Sequence, residues 1–476
     1  MTNTHSAISD PFLSELENIV GPHGLLLDEI DVAPFLTEPR GAFRGRTRAV
    51  VLPASTAEVS AIVTACAKAR VPMVPAGGGT GLCGGAVPSQ NGHELVIGLG
   101  RLRKIRALDA AGFTVTVEAG CVLDDLRQAA ADAGLLFPLS LGAQGSCQIG
   151  GNISTNAGGT QVLRYGMITD LVLGLEVVLP DGQVLDLLRG LRKDNTGYHL
   201  RRLFCGAEGT LGIVTAAVLA LFPKPKQVVT GLVAVAKLQD ALSLLSALRS
   251  GTGDALSALE FVSRPALEMV LRHIPGTRDP FSQAHPQYVL FEATSSSPHG
   301  SLQEQVEHCL GELSDVGLLL DAAIASGPAQ AQAFWHLRES IPEAQKPEGL
   351  SVKHDVSLPI GRMAEFVHTA TAQCQQRVAG IRPVVFGHVG DGNVHFNLSQ
   401  PPDLDPAAFA AERPGLTKLV HDLVMSMGGS FSAEHGIGQL KKAELLRYRS
   451  AVEVDLMRRI KASLDPFGLM NPGKVV

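Results

Sequence analysis

The 476-residue sequence predicts a globular protein of two or three domains in which helices and strands are mixed. Three observations carry that reading. Hydrophobic residues make up 45% of the chain, enough to bury more than one core. Helical periodicity alternates with short apolar runs: the capping box Ser55-Thr56-Ala57-Glu58 opens an amphipathic helix over 59–70, and Val71-Pro72-Met73-Val74-Pro75 then reads as a strand. The 51 glycines gather in clusters, which brings backbone close to something else.

The first cluster is Ala76-Gly77-Gly78-Gly79-Thr80-Gly81-Leu82-Cys83-Gly84-Gly85, a row of bare backbone N–H groups of the kind that suits a diphosphate. It contains a G-x-G-x-x-G match at Gly79, Gly81 and Gly84, but no helix signal follows, so a nicotinamide-binding turn is excluded. Gly468, Gly473 and Lys474 mimic a P-loop equally by accident, since Val475 stands where a hydroxyl residue is required. Strands at 94–97 and 114–118 flank a helix over 123–133 closed by Gly134. The second cluster, over 140–159, mixes glycine with small hydroxyls and amides that can line a polar ring or a sugar-phosphate chain. Residues 171–179 and 183–187 form a hairpin through Pro180-Asp181-Gly182, and the third glycine loop, 206–212, runs into a strand. The basic linker Pro223-Lys224-Pro225-Lys226 marks a domain boundary. Beyond it, helices at 238–248 and 302–313 alternate with strand runs such as 288–292.

Two histidine strings lie further on, at 387–397 and 433–437. The runs 383–387 and 394–398 read as strands joined by Gly390-Asp391-Gly392-Asn393, with His388 and His395 flanking the turn. His395 and Asn397, two apart, share one face while Phe396 takes the other. Two imidazoles and the Glu434 carboxylate are a donor set for a divalent ion with a position left open for substrate. The alternative is a pair of hydrogen-bonded core histidines and a helix-end charge.

A net charge of −6 without a long lysine or arginine run supports neither nucleic acid nor an anionic membrane as a partner. The N-terminus lacks a basic stretch before an apolar core, and no run approaches the roughly 18 to 20 apolar residues of a membrane span, so a cytoplasmic protein without a transmembrane segment is expected. The seven cysteines are odd in number and scattered, which predicts buried thiols; Cys83 and Cys147 alone lie in loops where a covalent cofactor bond is conceivable.

Together these motifs resemble flavoproteins of the vanillyl-alcohol-oxidase type, in their branch of D-2-hydroxyacid dehydrogenases. The resemblance runs nearly end to end: Pro75 to Gly81, Ile149 to Gly159 and Gly206 to Ile213 are similar to the family's FAD-binding segments, and Asp465 to Lys474 to its C-terminal signature. It implies an α+β fold, with an FAD-binding domain of two subdomains over 1–225, an α+β cap domain with an antiparallel sheet over 226–425, and a C-terminal segment, 426–476, packing back on the FAD domain. Cofactor contacts are implied for Pro75, Ala76, Gly77, Gly78, Gly79, Thr80, Gly81, Leu82, Ser146, Gly150, Gly151, Asn152, Thr155, Asn156, Gly158, Gly159, Glu208, Gly212, Ile213 and Asn471. The first glycine loop has no histidine, so the FAD is expected to be noncovalent.

The resemblance further implies zinc on His388, His395 and Glu434, His435 as catalytic base, and Arg338, Lys353 and Asn397 at the substrate. The pattern departs from the hydroxyglutarate-oxidising subgroup at Pro342, where a threonine would stand. The implied reaction is oxidation of D-2-hydroxyglutarate, or a related D-2-hydroxyacid, to the 2-oxoacid by hydride transfer to the flavin. D-Lactate is the alternative substrate, and a noncatalytic flavin-binding subunit the alternative class. The implied electron acceptor is a carrier such as an electron-transfer flavoprotein or a quinone, and the expected assembly a homodimer.

Overall fold

The structure, a computed structural model, describes residues 5–476. The chain forms two compact units, Met1–Gly159 with Gly166–Lys224 and Glu434–Val476, and Thr160–Tyr165 with Pro225–Ala433. Both mix helices with sheets, as an α+β fold requires.

In the first unit a four-stranded sheet runs in the order Leu25–Leu26, Val50–Val51, Leu95–Gly98, Met73–Ala76. Its three inner pairings include two parallel ones, and strands covered on both faces account for the unbroken apolar run Leu95, Val96, Ile97. Helix Thr56–Ala69 starts where predicted: the Ser55 side chain accepts the Glu58 N–H. Glu58, however, returns to the N–H of Ala54 instead of Ser55. Arg70 in the left-handed region ends the helix. The other sheet is antiparallel, in the order Ile105–Asp109, Thr114–Glu118, Ile213–Ala220, Val172–Val178, Val184–Leu187. The predicted hairpin through Gly182, at φ 90°, forms its last pair. The C-terminal residues complete this unit: the Met73 N–H donates to Leu469 C=O, and the Asn471 N–H to Met73 C=O.

The second unit is built on an antiparallel eight-stranded sheet in the order Leu319–Ile324, Gln227–Val235, Gln287–Ser295, Leu256–Ser263, Arg382–His388, Asn393–Ser399, Ser351–Val352, with Asp355–Ser357 also on Asn393–Ser399. Its period-two pattern feeds two cores. Val233, Val235, Leu259, Phe261, Val289, Phe291 and Phe396 belong to one, with helices Leu238–Gly251, Leu302–Asp315 and Met363–Arg377. Leu232, Ala234, Val262, Tyr288, Leu290, Val384 and Phe386 belong to the other, with helices Arg264–His273 and Pro328–Glu339. Among the described residues no helix is long and apolar enough to cross a membrane.

Candidate active site

The three glycine-rich segments meet within the first unit around an open cleft of about 920 Å³. Pro75, Ala76, Gly77, Gly78, Gly79, Thr80, Gly81, Leu82, Gly150, Gly151, Asn152, Thr155, Glu208, Gly212 and Ile213 line it. Close approach explains some of the glycines. A Cβ on Gly78 would stand 2.0 Å from the Ser146 carbonyl oxygen, and one on Gly150 2.6 Å from Ala119 Cβ. Gly79, Gly81 and Gly151 have nothing within 4 Å of such a Cβ, so bare backbone borders open space. That cradle fits an extended nucleotide whose phosphates take backbone N–H groups.

Five residues expected at the cofactor do not line the cleft. Ser146 lends its carbonyl to the contact under Gly78 and its hydroxyl to Ala143 C=O. Asn156, at φ 50°, accepts the Thr169 N–H. Gly158 is buried nearby, and the Gly159 N–H donates to Glu434 Oε1 at 3.0 Å. Asn471 Nδ2 donates to the carbonyls of Gly85 and Glu208. Gln148, Ser154 and Gly209 join the lining without having been expected there. The segment 140–159 is not all loop, because Ile149–Ser154 forms a short helix that buries Ile149 and Ile153. Cys83 lies on the cleft wall, buried, and all seven cysteines are free thiols.

His435 also lines this cleft. Its loop is held from beneath: Glu208 Oε1 accepts the Ile437 N–H at 2.7 Å and Oε2 the Gly438 N–H at 2.8 Å. Burial raises the Glu208 carboxyl above its ordinary range, and the two backbone donors only partly offset that.

In the second unit, the strands Arg382–His388 and Asn393–Ser399 pair as the spacing predicts, with Gly392 at φ 85° in the turn. Phe386 lies opposite His395 and Val384 opposite Asn397, so the two polar side chains share a sheet face, while Phe396 packs into the other core. The rings of His388 and His395 are 5.5 Å apart, centroid to centroid. His388 Nδ1 meets Glu260 Oε1 at 2.5 Å, across the register pair Glu260↔His388. Glu260 Oε2 accepts from Arg338 Nε at 2.8 Å and lies 2.8 Å from Nη2 in the same ion pair. Burial pushes the Glu260 carboxyl up, but the charges of His388 and Arg338 outweigh it and hold the group down at about 2. Asp355 Oδ1 lies 3.8 Å from His395 Nδ1 and is held by Asn393 Nδ2 at 2.9 Å. Asn397 Nδ2 donates to the buried Gln345 at 2.8 Å. Arg338 is 7% exposed and lies with this cluster, whereas Lys353 is exposed on the chain between Ser351–Val352 and Asp355–Ser357.

Sequence reasoning missed Glu260 and Asp355. A signal existed for Glu260, the one charge in the buried strand Leu256–Ser263. Asp355 had none, because its role depends on a strand pairing 40 residues distant.

A bare-backbone cleft with an imidazole on its wall suits an extended nucleotide, and the same chain carries a large antiparallel sheet bearing a histidine and carboxylate cluster. Comparison with known proteins makes this specific. Residues 47–188 match the model of the FAD binding domain, and residues 224–475 that of the C-terminal domain of FAD linked oxidases. The probable mitochondrial D-2-hydroxyglutarate dehydrogenase of Oryza sativa subsp. indica is 39% identical across 99% of this chain and 83% of its own. The D-2-hydroxyglutarate dehydrogenase of Xanthomonas citri pv. viticola is 39% identical across 98% and 97%. A solved structure of p-cresol methylhydroxylase with substrate bound, 18% identical, has the same fold at a TM-score of 0.74 over 98% of this chain and 96% of its own. The chain therefore belongs to the FAD-linked oxidases of the vanillyl-alcohol-oxidase type, and it is an FAD-linked oxidoreductase.

Proposed function

We propose that this enzyme oxidises D-2-hydroxyglutarate, or a closely related D-2-hydroxyacid, to the 2-oxoacid, with noncovalent FAD in the glycine cleft and zinc on His388, His395 and Glu434. The observation that carries the substrate is the similarity, at near full length, to relatives named D-2-hydroxyglutarate dehydrogenase. What supports a metal is the donor set: two imidazoles and a carboxylate each offer one ligand atom, and the other ring nitrogen of His388 is already committed to a carboxylate. FAD, when bound, supplies the acceptor of a hydride from C2, and zinc supplies Lewis acidity at the hydroxyl that C2 bears.

The protein's own part is orientation and proton transfer. His435, on the cleft wall, takes the hydroxyl proton onto a ring nitrogen. Arg338 and Lys353 bring positive charge to the distal carboxylate, which D-lactate lacks, and Asn397 supplies a polar contact. Electrons then leave to a carrier such as an electron-transfer flavoprotein or a quinone.

The test is a panel of D- and L-2-hydroxyacids assayed with an artificial dye acceptor, before and after chelation and with zinc restored. The expected result is turnover that is specific for D-2-hydroxyglutarate, lost on chelation and recovered with zinc. Turnover indifferent to chelation, or a preference for D-lactate, would reject the corresponding part of the reading.

A further inference from the structure

We propose that Glu260 is a positioning residue that serves both ends of the substrate site, fixing the ring of His388 with one carboxylate oxygen and the guanidinium of Arg338 with the other. The inference rests on the reading of His388 as a metal ligand and Arg338 as a substrate cation, but its geometry belongs to the second unit alone. Glu260 is fully buried within a strand whose neighbours Leu256, Ala258, Leu259, Phe261 and Val262 are apolar and buried. A charge there is costly unless it is paired and hydrogen-bonded, and this one is. Oε1 meets His388 Nδ1 at 2.5 Å, while Oε2 accepts from Arg338 Nε at 2.8 Å and lies 2.8 Å from Nη2. The Arg338 guanidinium lies over the Phe386 ring at 4.8 Å, so the fork is held from its face as well as its edge.

The chemistry follows from what an ionised carboxylate can do. It only accepts, so in the neutral imidazole His388 Nδ1 carries the one ring hydrogen toward Glu260, and Nε2 keeps the lone pair that a ligand to a cation requires. Arg338 balances the buried charge and is itself oriented by it. A glutamine at 260 has one acceptor oxygen for two donors, so it can satisfy His388 or Arg338 but not both.

The first measurement needs no variant of Glu260. In metal-free protein at about pH 9, above the ordinary histidine range, ring-nitrogen NMR shifts of His388, assigned by their loss in His388→Asn, are expected to show a protonated Nδ1 and a bare Nε2. A protonated Nε2 overturns the proposal. In Glu260→Gln, zinc affinity measured by competition with a chromogenic chelator is expected to fall about 10- to 100-fold, with a raised KM for D-2-hydroxyglutarate. Unchanged competition in a variant that melts like the wild type also overturns it. Since the tautomer is read without metal, wild-type protein that shows the Nδ1–H form yet takes up no zinc would remove the metal reading and leave the hold of Glu260 on His388 standing.

Discussion

Glu208 Oε1 lies 2.7 Å from the backbone nitrogen of Ile437, two residues beyond His435, and this contact with its companion at Gly438 ties the histidine loop to the third glycine segment. A Cβ on Gly436 would stand 2.7 Å from the same oxygen, so any side chain there would crowd the carboxylate that holds the loop. Glu208→Gln leaves one of the two N–H groups facing an amide donor. The expected result is a protein that still folds and turns yellow with flavin but loses about 10- to 100-fold in kcat, as misplacement of a catalytic group does. Wild-type kcat in that variant would show that the clamp is irrelevant to His435.

Two glycines in the cleft separate folding from cofactor binding. Gly78→Ala puts a methyl 2.0 Å from the Ser146 carbonyl oxygen, so both the melting temperature of the flavin-free protein and flavin retention are expected to fall. Gly151→Ala meets nothing within 4 Å and sits in helix Ile149–Ser154, where alanine is favoured over glycine by about 1 kcal/mol. Its flavin-free melting temperature should hold or rise while FAD binding weakens, because the new methyl occupies the space that the cofactor needs. Full FAD affinity in Gly151→Ala, by fluorescence titration, would mean that the cofactor does not approach this backbone.

Lys353 tests the substrate more cleanly than Arg338, because it is exposed, whereas removing Arg338 strips the fully buried Glu260 of its cation. In Lys353→Ala the KM for D-2-hydroxyglutarate is expected to rise about ten-fold with little change for D-lactate. Equal effects on both substrates would remove the lysine from the distal carboxylate.

Acid should act on the second unit through two carboxylates. Burial pushes the Glu348 carboxyl up, but hydrogen bonds from Arg382 and His273 and the charges of Arg382 and Arg272 win, and it titrates, like Glu260, at about 2 instead of 4.5. A folded-state value below the unfolded one means that their stabilisation is complete above about pH 4.5 and drains away as the pH falls toward 2. The denaturant midpoint should therefore drop steeply across that window, and Glu348→Gln should make the drop shallower. An identical slope in the variant would show that Glu348 contributes nothing to it.

The parts of the site that were legible in the sequence are those whose meaning is local. The hairpin carrying His388 and His395 is declared by a period of two around a glycine turn, and the nucleotide cradle by glycines that cluster in three segments. Helix Ile149–Ser154 was hidden because Gly150-Gly151 argues against a helix; burial of Ile149 and Ile153, four apart, overrides that propensity. Glu260 and His388 are 128 residues apart, and only the strand register brings them together. The same holds for Thr160–Tyr165, which follows the second glycine cluster directly yet belongs to the second unit, where Arg164 Nη1 donates to Thr294 Oγ1 at 2.7 Å, across 130 residues.

The first unit is assembled from stretches far apart along the chain, since the edge strand Met73–Ala76 exchanges backbone hydrogen bonds with Leu469 and Asn471. On the ribosome, where chains emerge and fold from the N-terminus onward, most of the second unit can close before Leu469 and Asn471 have emerged, but the nucleotide cradle must wait for them. Truncation ahead of residue 465 should thus spare much of the second unit's sheet yet yield a colourless protein.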